Sequence, residues 1–350
     1  MPSSFPFLRL PILVQLLILK NASLLDLFYF SLISRRSKQI VKSLDLSLST
    51  FHWDFSKVSI FYHFQLIRPN GNELKMYFKN ILEDIVESPP NGNISINGSM
   101  LPVYVEEFAS GNSLEIRKKF QSDEESLDSM DQFAEHCLDL FKVREYSLKF
   151  TFFPKILECF VWKYTKVFST VIVKNRYEHK MSGEEATFLL DELTINGHLD
   201  LGENVEEGFE YAEPLKIKLL EIQNAHWIKL EAVLNMDCEH LRIHRSPFTY
   251  QDLNAIVKKW MDGGLRNIVE IQILDANEPI PEATWNSAMD QILEGFETFP
   301  WDIKNRPQRT STYNLIDGRD IRRGDGTIGT VDLGVSNFDI GNLFILHVWT

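Results

Sequence analysis

Nine histidines and three cysteines are the side chains here best able to bind metal or act as nucleophiles. Only His240 and His244 lie close together, and the stretch around them reads as a strand, which puts both on one face. No carboxylate is placed to complete a metal site with that pair. His52, His63, His136, His179, His198, His226 and His347 read as separate surface or hydrogen-bonded side chains. Cys137, Cys159 and Cys238 are odd in number, far apart and set in apolar context. That suits buried thiols in a reducing compartment better than a disulfide framework or a zinc spacing. Asp317, Asp320 and Asp325 suggest a cation loop, yet no glutamate follows at EF-hand distance. Asp325-Gly326, between Ile321 and Ile328, reads as a hairpin turn. P-loop, Rossmann and nucleophile-elbow patterns do not occur. The chain is therefore expected to be no enzyme, with no catalytic residue, metal or cofactor.

What remains informative is the apolar residues and the elements that carry them. Leu8 to Lys42 is apolar on repeating faces and ends in a basic cluster. Pro11 suits the first turn of a helix, because it has no amide hydrogen to leave unpaired. Leu13, Leu16 and Leu17 then share a face. Ser23 can cap a second helix bearing Leu24, Leu27, Phe28 and Leu32, with Asp26 in its first turn. Ser34 can cap a third, with Arg35, Arg36, Lys38 and Lys42 on one side and Ile40 and Val41 on the other. Three such short helices cannot bury their own apolar surface, so a partner or the rest of the chain must cover it. Arg9 followed by Leu10 to Leu19 imitates a signal peptide. Pro11 falls early in that run and the periodicity continues past Ala22, which argues against it. Lys20 and Asn21 end the run too soon to span a bilayer.

The formal net charge is −13 over 350 residues, although the first 50 are basic. The body is thus acidic, which argues against nucleic acid as its partner. Leu44 to about Leu114 reads as strand-rich. Val58, Ile60, Tyr62, Phe64 and Leu66 alternate up to the turn Pro69-Asn70-Gly71, and Leu74, Met76 and Phe78 resume the alternation. Ser88 to Gly92 reads as a loop. Val103 to Phe108 reads as a further strand, placed at an edge by Glu106 and Glu107. Ser122 to Phe141 reads as a capped helix. From Tyr146, strands recur near Ser169, Leu193, Leu215, His240 and Val269, each followed by a helix-like run. The spacing of roughly 22–29 residues is close to that of leucine-rich repeats. The expected fold class is α/β: three N-terminal helices, then an α/β, leucine-rich-repeat-like domain with C-terminal β-hairpins. A closed α/β sandwich is the alternative.

Leu10-Pro11, Asp26, Phe30 to Lys38 and Val41-Lys42 resemble the F-box of the large nematode F-box families. Leu24 stands where a proline is usual there, and Arg35 where a lysine is usual. Leu253 to Gly263, Gly318 to Thr327 and Phe344 to Trp349 resemble the F-box-associated domain, type 2, with Gly329 in place of an alanine. The resemblance implies an F-box at 5–45, a strand-rich segment and linking helix at 46–145, and the associated domain at 146–350. It implies a substrate-recruiting adaptor of an SCF-type ubiquitin ligase. Leu10, Pro11, Leu13, Leu16, Leu17, Leu27 and Ile33 would meet a Skp1-like adaptor and, through it, a cullin. The C-terminal domain would hold a protein target, with no nucleic acid or membrane partner, in cytoplasm or nucleus. The alternative is a protein-binding module without a ligase role, its degenerate F-box packed on the body.

Overall fold

The computed structural model describes residues 7–56, 61–80, 92–96, 99–108, 111–118, 120, 122–151, 155–174, 180–202, 204–275, 284–302, 318–335 and 342–349. Two compact units divide at Ser169 and Thr170. Residues 146–169 therefore pack with the N-terminal unit rather than with the C-terminal one.

The first unit opens with helices α1 (Ile12–Lys20), α2 (Leu24–Ile33) and α3 (Arg35–Ser43). Pro11 takes the N-cap of α1, one position before the expected first turn, and no side chain caps that end. Ser23 and Asp26 form a reciprocal capping box on α2, and Ser34 Oγ accepts the Ser37 amide at the start of α3. Strands β1 (Ser47–Ser56), β2 (Phe61–Ile67), β3 (Glu73–Asn80), β4 (Gly92–Ile96), β5 (Ser99–Phe108) and β6 (Gly111–Lys118) follow. Helix α4 (Asp123–Leu140), with Ser122 as its cap, leads to β7 (Lys142–Thr151). β8 (Val167–Lys174) carries the division between units.

The strand order in this unit is β7-β1-β2-β3-β6-β5-β4. β5 lies between β6 and β4, but β4 pairs only with Ser99–Val103, so the half that carries Glu106 and Glu107 has β6 as its one strand partner among the described residues, as two consecutive glutamates suggested. The β2–β3 hairpin turns where expected, with Gly71 at φ +81°. Val58, Ile60 and Ser88 to Asn91 of the expected strand and loop lie outside the described residues. Alternation sorts the faces. Phe51, Trp53, Phe55, Phe64, Leu66, Leu74, Met76 and Phe78 are fully buried, and Phe78 meets Phe133 of α4 edge-on at 5.3 Å. The intervening His52, His63, Gln65, Lys75 and Tyr77 are half-buried on the other face.

The second unit repeats one theme. β9 (Thr194–Leu201), after the short helix α5 (Gly183–Thr187), pairs in parallel with β10 (Leu219–Ile222). Helix α6 (Leu230–Leu234) returns the chain to β11 (His240–Ser246), and α7 (Tyr250–Met261) returns it to β12 (Glu270–Asp275), both again parallel. β7 to β12 lie at the expected strand positions from Tyr146 to Val269, with β7 starting a few residues early and β10 a few residues late. After α8 (Trp285–Ile292) and β13 (Thr298–Pro300), the strands β14 (Arg319–Arg322), β15 (Ile328–Val335) and β16 (Asn342–Trp349) close the unit's sheet in antiparallel order. β9 to β16 belong to one sheet, with β16 between β12 and β15, and not to a two-sheet sandwich.

The charged C-terminal motif is built as a turn. Arg323 Nη2 donates to Asp325 Oδ2 at 2.6 Å, the Thr327 amide donates to Asp325 Oδ1 at 2.9 Å, and Gly326 sits at φ +92°. Arg323 and Thr327 together hold the Asp325 carboxyl well below the usual carboxylate range. Gly329 is glycine for a different reason. A Cβ there would come within 2.9 Å of the ring of Trp260, which is fully buried on α7. The glycine found in place of the family's alanine makes room for that indole.

Candidate functional site

Helix α1 is apolar nearly all round, and its side chains are placed the wrong way for a folded core. Gln15 is buried, with Nε2 donating to the Leu10 carbonyl at 2.6 Å. Leu13 is 76% exposed and Leu17 65%, and Ile12, Val14 and Ile18 are exposed beside them. Ile33, at the end of α2, is 67% exposed. Polar side chains usually stand outside and aliphatic ones inside, so this inversion marks a face that the chain itself does not cover.

The opposite side of the same module is covered. Leu24, Leu27 and Phe28 of α2 are fully buried, and Phe28 stacks on Phe133 of α4 at 5.9 Å. Ser31 Oγ lies 2.8 Å from His136 Nε2, also on α4. Burial, and then the nearby Lys38, holds the His136 imidazole down to about 4, so it stays neutral at this seam. Lys38 and Lys42 of α3 both reach Asp139, at 2.8 and 2.6 Å. These two lysines and two hydrogen bonds from the far side of the module, Leu24 N to Asn72 Oδ1 and Arg68 to the Ala22 carbonyl, tie it to the body. Leu24, found where the family has proline, supplies an amide that proline lacks.

Of the residues expected to meet an adaptor, Leu13, Leu17 and Ile33 are exposed on this face, Pro11 is exposed at its start, and Leu10 and Leu16 are half-buried. Leu27 departs from the group. It lies at helical spacing from Leu24 and Ser31 on the inner face of α2, which packs against β3 and β4, so it is a core residue of the free chain. Ile12, Val14 and Ile18 were not singled out from sequence. They are exposed because Gln15 and Leu19 turn inward, and spacing alone does not reveal which arc of a nearly all-apolar helix faces the body.

The fold also gathers titratable groups whose linear spacing gave no sign of it. His52, Asp54 and His63 bring three ligand-type atoms within 4.8 Å of one another, as do His198, Asp200 and Glu221. Each set pairs an H-x-D run on one strand with a residue directly opposite its aspartate on the next: Asp54 faces His63, and Asp200 faces Glu221. The legible signal was the shared period-two face of His-x-Asp; the strand pairing was not legible. His240 and His244 belong to neither set. All three cysteines are buried, and burial pushes the Cys159 thiol up to about 12 and the Cys238 thiol to about 11, which disfavours nucleophilic thiolate. Among the described residues no helix is long and apolar enough to cross a membrane.

Residues 7–48 match the F-box domain family, and residues 214–273 match the family described as F-box associated. Both matched families are adaptor-type, non-catalytic modules. The chain is similar to the Skn-1 dependent zygotic transcript 15 protein of Caenorhabditis elegans, at 24% identity over 85% of this chain and 88% of that protein. A second, uncharacterized C. elegans protein is 23% identical over 93% of this chain and 75% of its own length. No solved structure matches the chain.

Proposed function

We propose that the chain is a substrate-recruiting adaptor of an SCF-type ubiquitin ligase, working in the cytoplasm or nucleus. The exposed face of α1 with Ile33 docks on a Skp1-like adaptor and through it on a cullin. The strand-helix units after residue 146 present the surface that holds a protein target. Catalysis is left to the partners: the adaptor raises the effective concentration of the target beside a ubiquitin-charged enzyme. The observation that carries this reading is the inversion in α1, where Gln15 is buried and Leu13 and Leu17 stand in water. Matches to the F-box domain and F-box-associated families support it, since such modules generally bind Skp1 and targets respectively. The alternative is a protein-binding module without a ligase role, its degenerate F-box packed on the body; the open face of α1 speaks against the packing that it requires.

The test is co-purification with a Skp1-like adaptor. Leu13→Asp with Leu17→Asp would bury unpaired charge in the complex, costing roughly 3 kcal/mol or more of binding. Both sites are exposed in the free chain, so its stability should change by less than about 0.5 kcal/mol. Wild-type capture by the double variant would contradict the assignment.

A further inference from the structure

We propose that His52, Asp54 and His63 form a binding site for a divalent transition-metal ion of the zinc class, on the sheet face turned away from α4. The three donors come from the middle of paired strands. His52 and Asp54 are two apart on β1 and share a face, and His63 of the antiparallel β2 stands directly across from Asp54. Their ligand-type atoms lie within 4.8 Å of one another. Around a tetrahedral ion with bonds of about 2.0–2.1 Å such atoms stand about 3.3 Å apart, a gap that side-chain rotation closes without moving a strand.

Two further observations point to a ligand. The Asp54 side chain is only 8% exposed; its Oδ2 takes Lys149 Nζ at 2.9 Å, while its Oδ1 is buried with no hydrogen-bond partner. A buried acceptor left unpaired is costly, and a cation removes that cost. His52 Nδ1 meets Ser147 Oγ at 2.5 Å, on the strand β7 that flanks β1 on its other side. With Nδ1–H donating to this hydroxyl, the imidazole is held in place and Nε2 is left for the metal.

Two imidazoles and one carboxylate select zinc-class ions over calcium or magnesium, which want oxygen ligands. A fourth position is left for water. Lys149 and Lys75 are the opposing groups; Lys75 pairs with Glu73, and Lys149 is 35% exposed and can turn to solvent when an ion takes its place. The cluster of His198, Asp200 and Glu221 has one imidazole and two carboxylates, a harder set that serves here as the control.

The experiment uses the full chain, titrated with Zn²⁺ in competition with a chelator and with Co²⁺ followed by visible absorption. The expected result is a bound equivalent that His52→Ala or His63→Ala weakens by at least about tenfold, with the metal-free melting temperature unchanged. Ser147→Ala should weaken it less, Lys149→Met should leave it intact or tighter, and His198→Ala should leave it as it is. Absence of stoichiometric binding, or an equivalent that survives His52→Ala with His63→Ala, would overturn the proposal.

Discussion

Helix α7 buries Leu253, Ile256, Val257 and Trp260, whereas helix α1 leaves Ile12, Leu13, Val14, Leu17 and Ile18 exposed. α7 starts on a reciprocal box between Thr249 and Asp252 and ends at Gly263, φ +83°. α1 has no side-chain cap at its start. A fully buried aliphatic or aromatic side chain contributes about 1.5–3 kcal/mol, so α7 is a folding element while α1 forgoes much of that stabilisation. A chain that leaves five neighbouring aliphatic residues uncovered on one helix keeps that face for something other than its own core. Apolar side chains thus serve the chain's own core in α7, while in α1 most of them stand outside it.

The widest gap between the two helices should come from large-to-small substitution. Trp260→Ala removes a fully buried indole and should cost about 3–5 kcal/mol in chemical denaturation. A loss below about 1 kcal/mol would mean that α7 is not anchored as described.

Gly329→Ala probes the same anchor from the opposite strand. The added Cβ would meet Trp260 at 2.9 Å and Leu346 at 3.2 Å. Overpacking of this kind should destabilise by about 1–3 kcal/mol, read by the same denaturation curve, even though alanine restores the family's residue. Stabilisation instead would show that the indole has room to shift.

Acid should act on the α2–α4 seam and spare α7. The folded His136 takes up a proton only near pH 4, against an ordinary value of 6.5, because burial and Lys38 oppose the charge. Between those values the unfolded chain binds more protons, so stability is lost as pH falls from about 6.5 towards 4. The effect is smaller than the preceding two because His136 keeps partial access to water. His136→Gln should flatten this part of the stability-against-pH curve, measured by thermal melts at stepped pH. An unchanged slope would remove His136 from the seam's acid response.

Local signals carried much of the fold. Ser23, Ser34, Ser122 and Thr249 all cap the helices that their spacing implied, and the turns at Gly71 and Gly326 take the positive φ that glycine permits. What was not legible is pairing between distant segments. β1 pairs in parallel with β7 some ninety residues on, Ser47 beside Lys142, and β6 inserts between β3 and β5. Such contacts depend on the collapsed chain and leave no period in the sequence. The same gap explains the site. The apolar residues of α1 and α2 could be read from the sequence, but not that Leu27 is buried in the free chain while Leu13 and Leu17 are exposed, and His63 could not be placed beside Asp54 without the β1–β2 register.

Hydrogen–deuterium exchange of the chain alone and with a Skp1-like adaptor tests the central contrast most directly. Slowed exchange should appear in α1, Ile12 to Lys20, and at the end of α2 around Ile33, while α7, Tyr250 to Met261, is already protected and does not change. Protection gained in α7, or α1 amides that exchange equally fast with and without the adaptor, would contradict the account.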